Sequence, residues 1–374
     1  MYYYLLDKIF TRDRKDSILS KRNFGLDVLR TLAILLVLLS HYGQAIPWWI
    51  GPDWGRKIPS AIGAYGTTGV LVFFALSGFL VGGMALQLME AGPNPKTITI
   101  FLVRRWMRTV PLYWVAIGFY LCLEPPSHWL THALRYFTFT QNLFFDMSAD
   151  RWFAVSWSLS VEEWFYLLVG VVGLGLAVIM RPRSAAWITI CLLIAGPLWL
   201  RWSSPRQNWF SYAAIYWFDT IAFGMATARL LSHGVIRLWV ALPLAMAGLW
   251  CGWIVNSNQL ALPAQSFVTF MPTTLATGAS LLIPLALCWR ACKGWPAQVV
   301  QWISTRSYGL YLFHPPILGK MTAIVMAHLY VTEVGRWIMI VSGLITAICV
   351  PCLLAEISHR LVERPLMRLR PEQR

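Results

Sequence analysis

The chain has 374 residues, of which 57% are apolar and only 13% charged, against about 45–50% and about 25% in soluble globular proteins. With a mean hydropathy of +0.57, too little polar side chain is present to coat a soluble multidomain enzyme, and the 21 Trp, 14 Tyr and 19 Phe suit the membrane–water boundary. The net charge of +15 raises the question of a nucleic-acid partner, which its distribution along the chain answers.

Apolar runs of roughly 20 residues, enough to cross about 30 Å of hydrocarbon, predict an all-α integral membrane protein, a bundle of ten spans. Residues 1–25 are polar and charged, and predict a cytoplasmic segment leading into a retained first span rather than a cleaved signal peptide. The first span, 26–46, holds Arg30 and His41. Eleven positions at 100° each come within about 20° of three full turns and rise roughly 16 Å, so both side chains face one channel. The second span, 62–88, contains Ser77-Gly78, read as a small-residue packing point rather than a nucleophile.

Arg104, Arg105 and Arg108 precede Pro111 in the third span, 102–123. They are either a positive-inside flank or an anion seat, since Arg105 and Arg108 at i, i+3 share a face and guanidinium forks grip phosphate oxygens. Segment 124–157, with Pro125, Pro126, His128, His132 and Trp152, is long for a connector and is expected to form a functional outer cap. Glu162 and Glu163 lie about one turn into the fourth span, 158–180, at the depth expected for His41. A carboxylate on one imidazole nitrogen fixes the tautomer of the other, so one Glu is expected to orient His41. The other would pair with an Arg or cap the helix.

Spans 185–202, 209–231, 235–256 and 267–290 follow, and the sixth carries Asp219, a deep acid whose partner is not evident in the sequence and for which structural pairing is expected. The ninth, 300–329, contains Ser307 through Pro316, including Tyr311 and His314. Pro315 and Pro316 are expected to interrupt the helix and open a cavity, with His314 either a satisfied packing group or a functional one. A tenth span, 334–357, closes a membrane domain of residues 26–357 and leads to a basic tail, 358–374.

With the N-terminus in the cytoplasm, most Lys and Arg fall on that side, among them Lys96, Arg104, Arg105, Arg108, Arg181, Arg183, Arg360 and Arg364. Positive-inside topology therefore accounts for the charge, places both termini in the cytoplasm and calls for no nucleic acid, while the basic strips could touch anionic lipid. The seven Cys lie mostly in apolar runs without metal-site spacing, and read as small core residues with no metal site.

Several segments together resemble the membrane-bound acyltransferase-3 family, integral enzymes that O-acylate bacterial surface and exported glycans. They are Gly25 to Arg30 leading to His41, Phe73 to Leu80, Arg104 to Arg108 before Pro111 and Tyr113, Trp157 to Glu163 with Phe165-Tyr166, Ser307 to His314, and Glu363-Arg364-Pro365. Trp164 stands where Gln is common, and Phe313 where Trp is frequent. The resemblance implies a multi-pass enzyme of the bacterial inner membrane, with acetyl-coenzyme A or another acyl-coenzyme A arriving from the cytoplasm as substrate and no permanently bound cofactor. The acceptor would be a hydroxyl on a polysaccharide or lipid-linked oligosaccharide on the far side.

On this reading Arg30, Arg104, Arg105 and Arg108 bind the donor phosphates. His41 acts as general base or transient acyl carrier, Glu163 or Glu162 orients it, and an Arg, a Tyr such as Tyr311, or a backbone N–H stabilises the oxyanion. Some relatives carry an extra extracytoplasmic transfer domain; its absence from this chain predicts that transfer is completed within the membrane core. The competing reading is a transporter or flippase of a lipid-linked sugar or acyl group, which would show internal pseudo-repeats; none is visible in the sequence.

Overall fold

The computed structural model describes residues 22–57, 61–126, 129–143, 152–203, 213–232, 237–257, 264–289, 291–328 and 332–371. The expectations for residues 1–21, for 127–128 and 144–151 of the outer segment, for 209–212 of the sixth span and for 372–374 of the tail lie outside the described residues. Among the described residues every regular element is helical.

The helices are α1 (Phe24–Ile50), α2 (Pro52–Lys57), α3 (Ala61–Ser77), α4 (Gly83–Ala91), α5 (Pro95–Leu123), α6 (Trp129–Phe137), α7 (Ser156–Leu168) and α8 (Leu174–Ile179). They continue as α9 (Pro182–Ser203), α10 (Phe218–Leu231), α11 (Leu238–Asn256), α12 (Ala264–Cys288), α13 (Trp295–Ala327), α14 (Glu333–Ser358) and α15 (Arg364–Arg368). Single π turns, Gly78–Gly82, Val169–Gly173 and His359–Glu363, join α3 to α4, α7 to α8 and α14 to α15 without a break.

Nine stretches among the described residues are long and apolar enough to cross a bilayer. Ten were expected. The difference is the predicted span 209–231, which appears as a 3-10 turn, Ala214–Tyr216, followed by the 14-residue α10. At 1.5 Å per residue α10 covers about 21 Å, short of the hydrocarbon thickness.

Local chemistry sets the helix starts. The Asn23 side chain accepts from Leu26 N–H at the head of α1, and Asn94 forms a reciprocal capping box with Thr97 ahead of Pro95 at the head of α5. α1 lies between α3 and α13. Its register against α13 is fixed by three polar contacts: Arg30 to Ser304, His41 to His314, and Trp49 to Thr322. Both sequence numbers rise together, so the two helices run parallel; α13 therefore lies an even number of crossings after α1, which requires the segment of the short α10 to serve as a crossing alongside the nine longer stretches. Against α3 the register is antiparallel, with Ser40 donating to the Gly63 carbonyl and Gly69 packed on the Ala33 carbonyl.

The packing supplies one partner that the sequence left unidentified and corrects one expectation. Asp219 does have a partner: Arg201, at the end of α9, forks onto it with Nη1–Oδ1 at 3.0 Å and Nη2–Oδ2 at 2.6 Å. Thr273 of α12 completes the cluster, donating to Oδ2 at 2.7 Å, and both charged side chains are almost fully buried. The partner sits in a different span, and so was invisible to linear spacing. Pro315 and Pro316 do not break α13, which runs continuously through both. A proline removes one backbone donor and loosens the ladder without forcing an end.

Candidate active site

The polar residues of the core gather at two levels along the α1–α13 face. The first is an imidazole pair. His41 Nδ1 lies 2.7 Å from His314 Nε2, and His314 Nδ1 lies 2.8 Å from the carbonyl oxygen of Leu310. A carbonyl can only accept, so His314 Nδ1 carries the hydrogen and, in the neutral ring, His314 Nε2 is an acceptor. His41 Nδ1 must then be the donor, which leaves the lone pair of neutral His41 on Nε2. His314 is fully buried while His41 is partly exposed, so the ring with the free lone pair is also the reachable one. Tyr311 packs beside His314 with ring centroids 6.2 Å apart. Its hydroxyl donates to the Val155 carbonyl at 3.0 Å and lies 2.8 Å from Ser158 Oγ, tying α13 to the start of α7.

The second level is cationic. Arg105 Nη2 donates to Tyr166 at 2.5 Å and lies 3.5 Å from Glu162 Oε2, with its guanidinium 4.1 Å from the Tyr166 ring centroid. Tyr166 in turn hydrogen-bonds Ser77 on α3. Glu163 accepts from Thr109 at 2.5 Å, and the Thr109 carbonyl accepts from Tyr308 at 2.9 Å. Arg30 reaches Ser304 at 3.5 Å and Asp27 at 3.8 Å, both long contacts. Asp27 is held more closely by Arg22, at 2.6 Å, and also accepts from Ser304 at 2.7 Å. Arg108 is exposed, lies in the field of Arg30 and Arg105, and has no hydrogen bond or ion pair among the described residues. Arg104 donates to the Pro371 carbonyl at 2.5 Å.

The structure therefore brings Arg30, Arg105, Arg108, Glu162 and Glu163 to one level, and His41, His314 and Tyr311 to another. The expectation that Glu162 or Glu163 orients His41 is not what the contacts show. Both carboxylates engage the Arg105–Thr109 turn of α5, and the orienting place on His41 is taken by His314. The physical reason is depth. Ser158, two residues into α7, already meets Tyr311 beside the histidines, so residues 162 and 163 lie about one turn further down, roughly 6–8 Å. Thr109 was not singled out by sequence reasoning, and Tyr166 entered it only within a family-like segment, with no role assigned. The signal for Tyr166 was present, since position 166 follows Glu162 by four on the same helix face; Thr109 gave no comparable signal.

A separate opening of about 560 Å³ lies between α5, the end of α6 and α7, lined by Trp106, Val110, Trp114, Phe139 and Trp164, with Glu163 in its wall. It is an apolar groove, and its lining includes none of the histidines or arginines named above. No group of three or more His, Cys, Asp or Glu suited to a metal ion occurs among the described residues.

Residues 23–356 match the family model Acyl_transf_3, described as an acyltransferase domain. Among curated proteins, the chain is 25% identical over 390 residues to the peptidoglycan O-acetyltransferase OatA of Listeria monocytogenes, covering 92% of this chain and 56% of that protein. It is 25% identical over 393 residues to YrhL of Bacillus subtilis, covering 91% and 54%. Against the O-acetyltransferase OatA of Staphylococcus aureus it is 23% identical over 392 residues, covering 92% and 57%. The chain thus spans about half the length of the curated relatives it matches. No solved structure matches it. A match over nearly the whole membrane bundle, carrying both the imidazole pair and the arginine level, identifies the chain as a member of the Acyl_transf_3 acyltransferase family.

Proposed function

We propose that this protein is a membrane-bound O-acyltransferase that moves an acetyl or other short acyl group from cytoplasmic acyl-coenzyme A to a hydroxyl of an extracytoplasmic or lipid-linked glycan. The relatives' names support an acetyl group and a peptidoglycan-type acceptor. Both termini would face the cytoplasm, in a bacterial inner membrane, as the positive-inside bias favours.

The observation that carries the reading is the alignment of the two levels along parallel α1 and α13. Arg30 meets Ser304 and His41 meets His314, roughly 16 Å apart along the axis, a span suited to an extended thioester arm whose phosphates lie among the arginines. In the proposed step, His41 Nε2 takes the proton of the acceptor hydroxyl, whose oxygen attacks the thioester carbonyl. The tetrahedral oxyanion then collapses, the C–S bond breaks, and the coenzyme thiolate recovers the proton from the His41 imidazolium. His314 holds the tautomer throughout and shares the positive charge through the N–H···N bond. Glu162 and Glu163 act on the arginine level, holding Arg105 and the α5 turn in place. Tyr311, its hydroxyl engaged by Val155 and Ser158, positions His314.

The experiment is transfer of labelled acetyl from acetyl-coenzyme A to cell-envelope glycan, comparing the wild-type protein with His41→Ala. Loss of labelling in the variant is the expected result. Full labelling in His41→Ala would remove the imidazole from the mechanism, and glycan movement without acyl transfer would favour a transporter.

A further inference from the structure

Beyond α14 the chain makes a π turn, His359–Glu363, and then the short α15, which packs against α5. Arg104 of α5 then fixes the tail by donating to the Pro371 carbonyl at 2.5 Å. The residue so delivered is Arg370. Its Nε and Nη2 are buried and have no hydrogen-bond partner, and the charges acting on it are those of Arg108, Arg104 and Arg105.

A guanidinium carried into a group of guanidiniums, with its own donors unsatisfied, is unfavourable unless an anion joins it. Each acid on hand already has another partner, and only Glu163 Oε2 and Glu363 Oε1 among their buried oxygens are left without a hydrogen bond. Glu162 faces Arg105, Glu163 bonds Thr109, Asp27 bonds Arg22, and Glu363, which faces Arg108, lies 3.5 Å from His359. Arg105 Nε is buried and unpaired as well, and Arg108 has all of its donors free among the described residues. Burial and the fields of Arg108, Arg104 and Arg105 pull the Arg370 pKa down to about 10. By contrast Arg364 and Arg368 on the same tail are exposed.

We infer that Arg370 is a binding residue for a phosphate-bearing anion, converging with Arg105 and Arg108 on one site whose outer wall is the C-terminal tail seated by Arg104. The ligand chemistry is a phosphate monoester or diphosphate, since several forked guanidinium donors match a multiply charged oxyanion better than a single carboxylate. That the anion belongs to the acyl donor rests on the function proposed above. A lipid headgroup is the other source of the same chemistry.

The test uses the full chain purified in nanodiscs of neutral phosphatidylcholine. Binding of labelled coenzyme A is measured with inorganic pyrophosphate as competitor, for the wild type, Arg370→Gln and Arg368→Gln. Arg370→Gln is expected to weaken coenzyme A and pyrophosphate binding about 5- to 20-fold, and to raise donor KM with kcat nearly unchanged. Arg368→Gln should match the wild type. Equal binding by Arg370→Gln and wild type would overturn the inference while leaving the donor reading intact. Pyrophosphate binding that depends on Arg370, without coenzyme A binding, would uphold the site and sink the donor reading. A third arm replaces part of the lipid with phosphatidylglycerol. If Arg370-dependent binding appears only as retention of that lipid, with pyrophosphate inert, the phosphate site stands and its occupant is a headgroup.

Discussion

His41 and His314 face each other at 2.7 Å across the α1–α13 seam, and because His314 Nδ1 is committed to the Leu310 carbonyl, the direction of the hydrogen bond between the rings is fixed. The two histidines are therefore not equivalent. His41→Ala removes the base, and transfer should fall by about 10²–10⁴-fold. His314→Ala leaves the base but frees its tautomer, and kcat should fall by roughly 10- to 100-fold at unchanged donor KM. His314→Gln, whose amide oxygen can accept from His41 Nδ1, should recover part of that loss. Steady-state acetyl transfer by the purified variants, with chromatography to confirm folding, checks all three. Equal activity of the Ala and Gln variants would show that no hydrogen bond to His314 is needed.

Arg105 is held on three sides, by Tyr166, by Glu162 and by the face of the Tyr166 ring. Lysine keeps the charge at this position but loses the planar fork and the stacking. Arg105→Lys should raise donor KM about tenfold. Tyr166→Phe removes the hydroxyl's bonds to Arg105 and Ser77, keeps the ring beneath the guanidinium, and should raise KM only a few-fold. Donor titrations at saturating acceptor measure both. An Arg105→Lys variant with wild-type KM would make this arginine a topological flank.

Much of this was legible in the sequence, for identifiable reasons. Arg30 and His41 lie on one continuous helix, where geometry fixes their relation, and the structure seats both against α13. The helical membrane architecture followed from composition and run length alone. What the sequence hid were relations between spans. Nothing linear says that Asp219 meets Arg201, or that His314 rather than a glutamate reaches His41, because the vertical offset of α7 against α1 depends on where each helix begins in the bilayer. The proline pair of α13 misled in the opposite way, since a lost backbone bond reads from sequence as a break while the packed helix runs on.

The Arg201–Asp219 pair carries a stability prediction. Both groups are buried, and Thr273 and the Tyr216 carbonyl also bond the cluster. Removing one partner strands a buried charge, typically at about 3–5 kcal/mol. Asp219→Ala should therefore lower the thermal midpoint in detergent sharply. The double variant Arg201→Met with Asp219→Leu should lose much less, because no unpaired charge is left behind. Similar losses in the single and double variants would mean that the pair contributes net binding energy rather than mutual neutralisation.

Gly78 and Gly224 let the π turn after α3 lie directly on α10: a Cβ on Gly78 would collide with the Ile221 carbonyl, and one on Gly224 with that of Ala75. The obstructing atoms are backbone, so relief requires the helices to part. Small residues at such crossings permit the close packing on which membrane bundles rely, and overpacking typically costs about 1–3 kcal/mol. Gly78→Ala should destabilise by that order. It should also impair transfer beyond its effect on the folded fraction, because neighbouring Ser77 bonds Tyr166, which in turn holds Arg105. Gly252→Ala is the control. A methyl group on that helical glycine would meet nothing within 4 Å, and alanine there should be neutral or stabilising by up to about 1 kcal/mol. Thermal midpoints and donor KM for the two variants separate the contributions: a Gly78→Ala protein with normal KM would confine the crossing to a packing role.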